Sequence, residues 1–559
     1  MKQPLIQIEV HPPSRSMIQK MARRFALQQD DWNDYSFQTL YHLYFRQTTE
    51  QDDIIYIGGV KILKKDQTKY DSKLINKSFH RLGSDWASVG TSLDYYQRLN
   101  EIPEKSRASI MRALKDVVAY PDLVEKFCSE EGWQTSLFRD NPEWRLFLDD
   151  ATILYKGNFA ALPDIKEHFS YTPAGSKEAI EFDFSAPTPN NYSGSYNRVG
   201  PSRKRTLFPE RVIVLVGRNG SGKSTLLSRL ARIAFASPQD RLAKDIKALG
   251  KIKPQAIGFM RVITISYSAF DSFIVPGNVV RDLSQITEDI EKGDGRFVFC
   301  GLRDIVAEVR DDIENAEQSA DDGDGPDNPV ERRTSTKLKS VDALATEFSS
   351  LLSRIRKRKL EALLEAALGP IKADPSFAEI KNQIEEITRS SIQMRKQFLT
   401  WSTGHKIVMH VIASLVANAR PRSLVLFDEP EAHLHPPLMA ALMHAVRIVL
   451  AEVNAFCIVA THSPVLLQET LARHVRYVSR TGSQIRATEP KLETFGENIG
   501  VLTYDSFGLT ASTTDYHHVL DLLVDAYDKY HNIEKAFEAG MSGQARAYVM
   551  SKLAKKRKG

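Results

Sequence analysis

The architecture follows from one stretch, Gly217-Arg218-Asn219-Gly220-Ser221-Gly222-Lys223-Ser224-Thr225. It matches the pattern GxxxxGK[ST] and stands between an apolar strand pattern at residues 212–216 and a helix predicted over residues 224–235. Glycines let the backbone N–H groups of such a loop surround a phosphate, and the helix start adds its dipole. Lys223 can then reach the β- and γ-phosphates, and the Ser224 hydroxyl can bind Mg²⁺. The stretch therefore predicts a strand, phosphate loop and helix in sequence.

A second apolar strand pattern ends in an acid pair. Residues 423–430 read Ser-Leu-Val-Leu-Phe-Asp-Glu-Pro. We expect Asp428, at the strand end, to join the Mg²⁺ shell, and Glu429 to act as general base on the attacking water. Acid pairs after strands are often merely solvated, so this interpretation depends on the phosphate loop being present in the same chain.

Two further motifs fit the same site. Ser402-Thr403-Gly404-His405 opens a predicted helix, where free N–H groups can bind a phosphate, although such a start is also an ordinary N-cap. His462 follows an apolar strand pattern at residues 456–460. Because ligands gather at the carboxyl ends of parallel strands, we expect His462 beside the phosphate loop.

In this order, the four motifs resemble the ABC-type ATPase superfamily over roughly residues 212–467. By that resemblance residues 217–225 correspond to the Walker A loop, residues 402–405 to the signature turn, Asp428-Glu429 to the Walker B pair and His462 to the switch histidine. The resemblance implies an α/β fold with a mostly parallel sheet, and ATP and Mg²⁺ as cofactors. It also implies a homo-oligomer, a nucleotide-sandwich dimer or higher, in which the signature turn of one subunit contacts the nucleotide of another.

Two stretches differ from that family. The family's Q-loop glutamine is expected after the strand that ends near Ile265, but Ser266-Tyr267-Ser268-Ala269-Phe270-Asp271 contains no glutamine. The loop after the acid pair reads Ala432-His433-Leu434-His435-Pro436, a form similar to the SMC, RecF and OLD branch and unlike transporter subunits.

A narrower resemblance, to the PtuA family of ATPases in the Septu and retron-associated antiphage systems, is carried by several short stretches. They are SYSAFDSF from Ser266, CGLRD from Cys300, STGHK from Ser402, DEPEAHLHPP from Asp428, THSPVLLQE from Thr461 and ETFGENIGVLTYDSFGL from Glu493. The resemblance implies an ATP-binding control subunit of a defence complex. Its implied partner is a PtuB-like HNH nuclease on another chain, with nucleic acid or retron DNA as a further candidate partner.

Other functions leave different signals. A DNA-repair ATPase of the RecF/SMC type would bind DNA directly, with the basic run at residues 354–359 as the candidate contact. An OLD-like nuclease would need clustered carboxylates for two metals. Asp521, Asp525 and Asp528 stand at helical spacing and predict a solvated face instead, so we expect no intrinsic nuclease site. The basic tail at residues 552–558 is either a phosphate-binding segment or a frayed terminus.

Composition limits the remaining classes. The 559 residues carry 75 basic and 70 acidic side chains, and the net charge of +5 is too small to indicate a nucleic-acid or membrane partner by itself. Three separated cysteines exclude a disulfide framework and a zinc ribbon. The most apolar stretch, residues 445–460, is interrupted by Arg447, Glu452 and Asn454. We expect a cytoplasmic protein with no membrane partner.

The length predicts more than one core. In chain order, we expect a first lobe made of residues 1–80 and 186–310, a helical insertion at 81–185, an acidic loop and second helical insertion at 311–397, a lobe at 398–490, and a C-terminal helical partner-docking region at 491–559. Strands from Tyr35 and from Asp53 predict an N-terminal antiparallel layer, with a hairpin at Gly58-Gly59. Residues 311–327 predict a solvated loop, residues 337–397 a pair of long helices, and residues 514–555 two amphipathic helices.

Overall fold

The computed structural model describes residues 6–13, 21–30, 37–46, 54–71, 74–139, 144–156, 168–185, 209–236, 241, 244–254, 257–269, 271, 273–276, 287, 290, 295–318, 333, 335–380, 382–384, 394–507 and 515–556. Within these ranges the strands form three sheets. The strands, in chain order, are β1 (Ile8–His11), β2 (Phe25–Gln29), β3 (Leu40–Arg46), β4 (Ile54–Lys64), β5 (Trp86–Gly90), β6 (His168–Pro173), β7 (Ile180–Asp183), β8 (Val212–Val216), β9 (Gly250–Lys253), β10 (Val262–Ser266), β11 (Phe297–Gly301), β12 (Leu424–Asp428), β13 (Phe456–Thr461), β14 (Val475–Thr481) and β15 (Gln484–Thr488).

The α-helices in the same ranges are α1 (Leu93–Glu101), α2 (Glu104–Leu114), α3 (Asp122–Phe127), α4 (Trp144–Lys156), α5 (Lys223–Phe235), α6 (Lys244–Lys247), α7 (Ile305–Gln318), α8 (Val341–Lys357), α9 (Glu361–Lys372), α10 (Met394–Thr400), α11 (Thr403–Asn418), α12 (Pro436–Val453), α13 (Pro464–Gln468), α14 (Ile499–Phe507), α15 (Asp515–Ala526), α16 (Tyr530–Glu534) and α17 (Gly543–Lys556). A π-helical turn lies at Trp133–Leu137, and 3₁₀ turns lie at Pro375–Ile380 and Ala472–His474.

The central sheet has the order β11-β10-β12-β13-β8-β14-β15. All neighbours pair in parallel except β14 and β15, which are antiparallel. Along β8, Val212, Val214 and Val216 face one hydrophobic core, and Ile213 and Leu215 face another. A parallel strand covered on both faces reads as a continuous apolar run, which is why the sequence identified these strands. The predicted α/β fold with a mostly parallel sheet is confirmed.

Different elements cover the two faces of this sheet. On one face, α5 packs with the three-stranded sheet β7-β6-β9. On the other, α8, α9, α11 and α12 form the larger core. Among helices in the described ranges, α12 is the one with the length and composition to cross a membrane. Its buried side chains, from Leu438 to Leu450, pack into the core, so in this structure it covers the sheet.

The N-terminal sheet has the order β1-β2-β3-β4-β5 and is antiparallel except between β1 and β2. The predicted antiparallel layer is therefore confirmed, but the predicted hairpin at Gly58-Gly59 is wrong. Strand β4 continues through both glycines, with a shift in its pairing to β3 beside Gly58. They make room for neighbours: a Cβ at Gly59 would lie 2.7 Å from Thr91 Oγ1, and a Cβ at Gly58 would lie 3.3 Å from Tyr95. Close packing, not a turn, explains the glycine pair.

Other segments also differ from expectation. The segment 81–185 contains β5, β6 and β7 as well as helices, and β5 completes the N-terminal sheet. One core joins side chains from Ile8 to Leu154 and also includes Met260, so the first 80 residues pack mainly with α1–α4. This corrects the predicted grouping of residues 1–80 with the lobe at 186–310. It also corrects the predicted helical insertion at 81–185, which contains strands as well as helices. The alternation of β6 and β7 is too short to stand out from the surrounding helical pattern.

The segment at residues 311–397, predicted as an acidic loop and a helical insertion, differs in part from that expectation. Residues 311–318, predicted as loop, lie in α7, and residues 319–327 fall outside the described ranges. Helix α8 is long and buries the predicted face, but α9 is shorter and a 3₁₀ turn follows it. At the C-terminus three helices, α15, α16 and α17, share a small core where the sequence predicted two.

Candidate functional site

The phosphate loop lies at the carboxyl end of β8 and leads directly into α5. Gly220 and Gly222 have φ angles of 78° and 92°, in the left-handed region that favours glycine. A Cβ at Gly217 would lie 2.3 Å from the carbonyl oxygen of Val478, so that position also requires glycine. Asn219 is exposed beside Gly220. The loop therefore has the shape that the GxxxxGK[ST] pattern predicts.

Lys223 crosses the loop from the start of α5. Its Nζ donates to the carbonyl oxygens of Gly217, at 2.9 Å, and Arg218, at 3.3 Å, and lies 3.2 Å from His462 Nε2. Burial lowers the pKa of Lys223, although the carboxylates of Glu429 and its neighbours oppose that shift. A charged ammonium group held by carbonyl oxygens in a buried position suits a strongly anionic ligand.

Ser224 and Asp428 provide oxygen ligands of the kind that Mg²⁺ prefers. The Ser224 Oγ donates to Asp428 Oδ1 at 3.1 Å, and burial raises the pKa of Asp428 to about 7. A nearby cation would compensate the buried carboxylate, so the donor set fits a bound metal ion. In addition, Ser221 Oγ is buried and lacks a hydrogen-bond partner in the described part of the chain. These side chains fit the Mg²⁺ and triphosphate expected from the sequence. Thr225 is buried in the first turn of α5.

Glu429 and His462 come from neighbouring strands. His462 Nε2 lies 3.2 Å from Glu429 Oε1, and this hydrogen bond lowers the pKa of Glu429. Glu429 has a φ angle of 48°, and its N–H donates to the carbonyl oxygen of Ala460 at 2.8 Å. The backbone of Glu429 thus lies in the sparsely populated left-handed region, and its side chain reaches His462. An ionised, partly exposed carboxylate in this place can accept a proton from water.

Sequence reasoning missed the residue that holds His462. Glu431 Oε1 accepts the His462 N–H at 2.5 Å, and its Oε2 accepts the Thr461 hydroxyl at 2.9 Å. Glu431 stands two residues after Glu429, so its nearness to the acid pair was the available signal. Its contacts fix the turn that carries His462.

Two further neighbours of the phosphate loop were also missed. The Arg480 Cδ would lie 3.8 Å from a Cβ at Gly222. The Arg218 Nε donates to the carbonyl oxygen of Phe507, the last residue of α14, at 2.8 Å. Both contacts come from elements far along the chain, so local pattern could not reveal them.

The signature turn begins α11. Ser402 is its N-cap and accepts the His405 N–H at 3.3 Å, while His405 Nε2 lies 2.9 Å from the carbonyl oxygen of Ser376. A Cβ at Gly404 would lie 3.4 Å from the carbonyl oxygen of His433, so the turn packs on the loop after the acid pair. Thr403 is the first residue of the helix. Binding of a phosphate by these four residues stays a prediction.

The C-terminal acids make ion pairs with the basic tail. Asp521 lies 2.9 Å from Lys552 Nζ, and Asp528 lies 3.2 Å from Lys556 Nζ. In the described ranges, no group of three or more His, Cys, Asp and Glu side chains forms a metal site. The expectation that the chain carries no nuclease centre stays a prediction.

Residues 307–468 match the model of a family described as "AAA domain, putative AbiEii toxin, Type IV TA system". The matched stretch contains the signature turn, the acid pair and His462, and it begins after the phosphate loop. The match shows that residues 307–468 are similar to an AAA domain. The phosphate loop and the geometry around Lys223 add the features of a P-loop ATPase to that stretch.

Over most of its length the chain is similar to protein ea59 of Escherichia phage lambda, with 29% identity over 564 positions that cover 94% of this chain and 95% of the relative. Since the alignment covers 94% of this chain, it must include at least part of the N-terminal sheet and of the C-terminal helices. A solved structure of a metal-chelate type ABC transporter in an inward-facing conformation has a TM-score of 0.25 and 15% identity, over 58% of this chain and 84% of that one.

Proposed function

We propose that this protein binds and hydrolyses ATP with Mg²⁺, and that it uses this cycle to control a partner nuclease in an antiphage defence complex. The observation that carries the ATPase part is the convergence of Lys223, Ser224, Asp428, Glu429 and His462 at one edge of the sheet, linked by contacts of 2.9 to 3.5 Å that they make with each other or with the loop.

The side chains divide the chemistry between them. Lys223 and the loop N–H groups would hold the β- and γ-phosphates, and Ser224 and Asp428 would hold the Mg²⁺, which would supply electrostatic stabilisation of the transferred phosphoryl group. Glu429 orients a water and takes its proton. His462 reaches both Lys223 and Glu429, at 3.2 Å each, and so holds the base close to the phosphate end of the site.

The partner half of the proposal rests on the short stretches shared with the antiphage ATPase family and on the full-length similarity to a phage-encoded protein. That similarity supports a phage-linked setting, and the HNH partner comes from the family resemblance. We propose a homo-oligomer in which the signature turn of one subunit completes the nucleotide site of another, in the cytoplasm.

The first experiment measures phosphate release from ATP by the purified chain and by a Lys223→Ala variant. We expect Mg²⁺-dependent hydrolysis in the wild type and a loss of about 100-fold or more in the variant, because its phosphate-binding cation is gone. Lys247→Ala, on the separate helix α6, is the matched control and should retain full activity. Equal hydrolysis by all three proteins would refute the ATPase proposal.

The second experiment co-expresses the chain with its chromosomal neighbours and identifies by mass spectrometry what co-purifies in the presence of ATP. Recovery of an HNH protein in stoichiometric amount is the expected result. Recovery of the chain alone on DNA that salt releases would contradict the partner proposal and favour a DNA-repair ATPase of the RecF/SMC type.

A further inference from the structure

A buried polar network lies behind the metal site. The Tyr267 hydroxyl lies 2.6 Å from His410 Nδ1, and both atoms lie 3.6 Å from Cys300 Sγ. On the other side of the ring, His410 Nε2 lies 3.6 Å from Glu347 Oε1, and Glu347 Oε2 pairs with Lys339 Nζ at 2.7 Å. Tyr267, Cys300 and His410 are at most 4% exposed.

Acidic and basic groups alternate in this network, so that His410 lies beside Glu347 and Glu347 lies beside Lys339. Burial opposes a charge on His410, but Cys300 and Glu347 outweigh it and raise the pKa of His410 to about 10. Burial likewise opposes the charge on Glu347, but His410 and Lys339 lower its pKa to about 2. The Tyr267 hydroxyl lies within hydrogen-bonding distance of both His410 Nδ1 and Cys300 Sγ, so it connects the two side chains.

The network joins three elements that the proposed reaction must align. Tyr267 directly follows β10, whose last residue, Ser266, pairs with Asp428 in the sheet. His410 lies on α11, whose N-terminus is the signature turn. Glu347 lies on the inserted helix α8. A buried polar side chain needs its partners, so displacement of one element would leave the others unsatisfied.

We propose that the hydrogen bond between Tyr267 and His410 holds the signature helix in register with the metal-binding edge of the sheet, so that Tyr267 and His410 are positioning residues for ATP hydrolysis. This inference rests on the proposed ATPase function. The same hydrogen bond connects the segment after β10 to helix α11. This is the segment in which the family's Q-loop glutamine is missing. The far end of that segment is fixed as well, because Asp271 pairs with the buried Arg303.

The test compares two conservative substitutions of buried tyrosines. Tyr267→Phe removes the 2.6 Å hydrogen bond to His410 and keeps the ring. Tyr171→Phe is the matched control, because its hydroxyl is also buried and donates at 2.6 Å to the carbonyl oxygen of Leu249, in the three-stranded sheet. Tyr171→Phe loses its buried hydrogen bond to Leu249, and Tyr267→Phe loses its contacts with His410 and Cys300, so the unfolding midpoint of Tyr267→Phe should fall at least as far as that of the control.

Their ATPase kinetics should differ. We expect Tyr267→Phe to lower kcat about tenfold with ATP affinity unchanged, because the phosphate loop is untouched and only alignment is lost. Tyr171→Phe should keep both values. A second variant, His410→Gln, should lower kcat similarly, and adding Tyr267→Phe to it should cause little further loss.

Either of two results would overturn the inference. If Tyr267→Phe and Tyr171→Phe share the same kcat, the network is structural only, and the ATPase proposal stands. If the effects of Tyr267→Phe and His410→Gln multiply, the two residues do not act through one bond. Absence of hydrolysis in the wild type would instead remove the proposed function, and the inference with it.

Discussion

Replacement of Glu429 by glutamine separates binding from chemistry at the proposed site. The glutamine has the size of glutamate, and its amide oxygen can still accept the hydrogen bond from His462 Nε2, which lies 3.2 Å from the carboxylate. The side chain is 39% exposed, so the substitution buries no new polar group. We therefore expect the free energy of unfolding to change by less than about 1 kcal/mol.

The expected loss in rate follows from the role of Glu429. A positioned general base contributes about 10² to 10⁴ in rate, which corresponds to about 2.7 to 5.4 kcal/mol of activation free energy. The groups that bind the nucleotide, Lys223, Ser224 and Asp428, are unchanged. The dissociation constant for Mg²⁺-ATP should therefore stay within about threefold of the wild-type value.

The assay combines phosphate release at saturating Mg²⁺-ATP with equilibrium binding of a fluorescent ATP analogue. Glu452→Gln is the matched control, since this exposed glutamate lies near the end of α12. It should match the wild type in both measurements. A Glu429→Gln variant that hydrolyses ATP within about threefold of the wild-type rate would show that Glu429 is not the base.

Three further predictions test other parts of the structure. Gly217→Ala should abolish ATP binding, because the new Cβ would meet a strand carbonyl oxygen at 2.3 Å, whereas Gly258→Ala, with open space around it, should bind normally in the same assay. Arg303→Met should lower the free energy of unfolding by about 3–5 kcal/mol in denaturant titrations, because it removes the buried ion pairs with Asp271 and Glu308 and leaves Glu308 with the longer contact to Arg333. The free energy of unfolding of Glu347→Gln should be lower than that of the wild type by at most about 3 kcal/mol, because the variant lacks the carboxyl group whose pKa changes on folding. Since folding lowers the pKa of Glu347 from 4.5 to about 2, that difference from the wild type should be complete above pH 4.5 and vanish as the pH falls through 2.

Local pattern predicted the parts of the site that adjoin strand ends. The phosphate loop follows a strand whose residues are all buried, and the acid pair begins at the last residue of another strand whose first four residues are buried, so a continuous apolar run marked each position. Glycine requirements at Gly220 and Gly222 follow from the positive φ angles of the loop itself. These features need no knowledge of distant contacts, because a single strand and its following turn determine them.

Contacts between distant segments could not be predicted in the same way. The bond between Tyr267 and His410 joins residues 143 apart in sequence. The sequence around His410, an apolar helix, does not indicate which distant residue its side chain contacts. The pair Gly58-Gly59 shows the opposite error, since a strong turn signal was overridden by packing against the helix that follows β5. Local propensity yields where tertiary packing demands a different conformation.

The charges of the C-terminal helices bear on which partner this protein binds. Nucleic-acid binding by the basic tail would require free lysine side chains, since affinity for DNA grows with each phosphate that a cation neutralises. In the described part of the tail, Lys552 and Lys556 already pair with Asp521 and Asp528 on the same small unit. Contact with DNA would have to compete with those acids. Lys552 and Lys556 would therefore neutralise phosphates only at the expense of their present ion pairs.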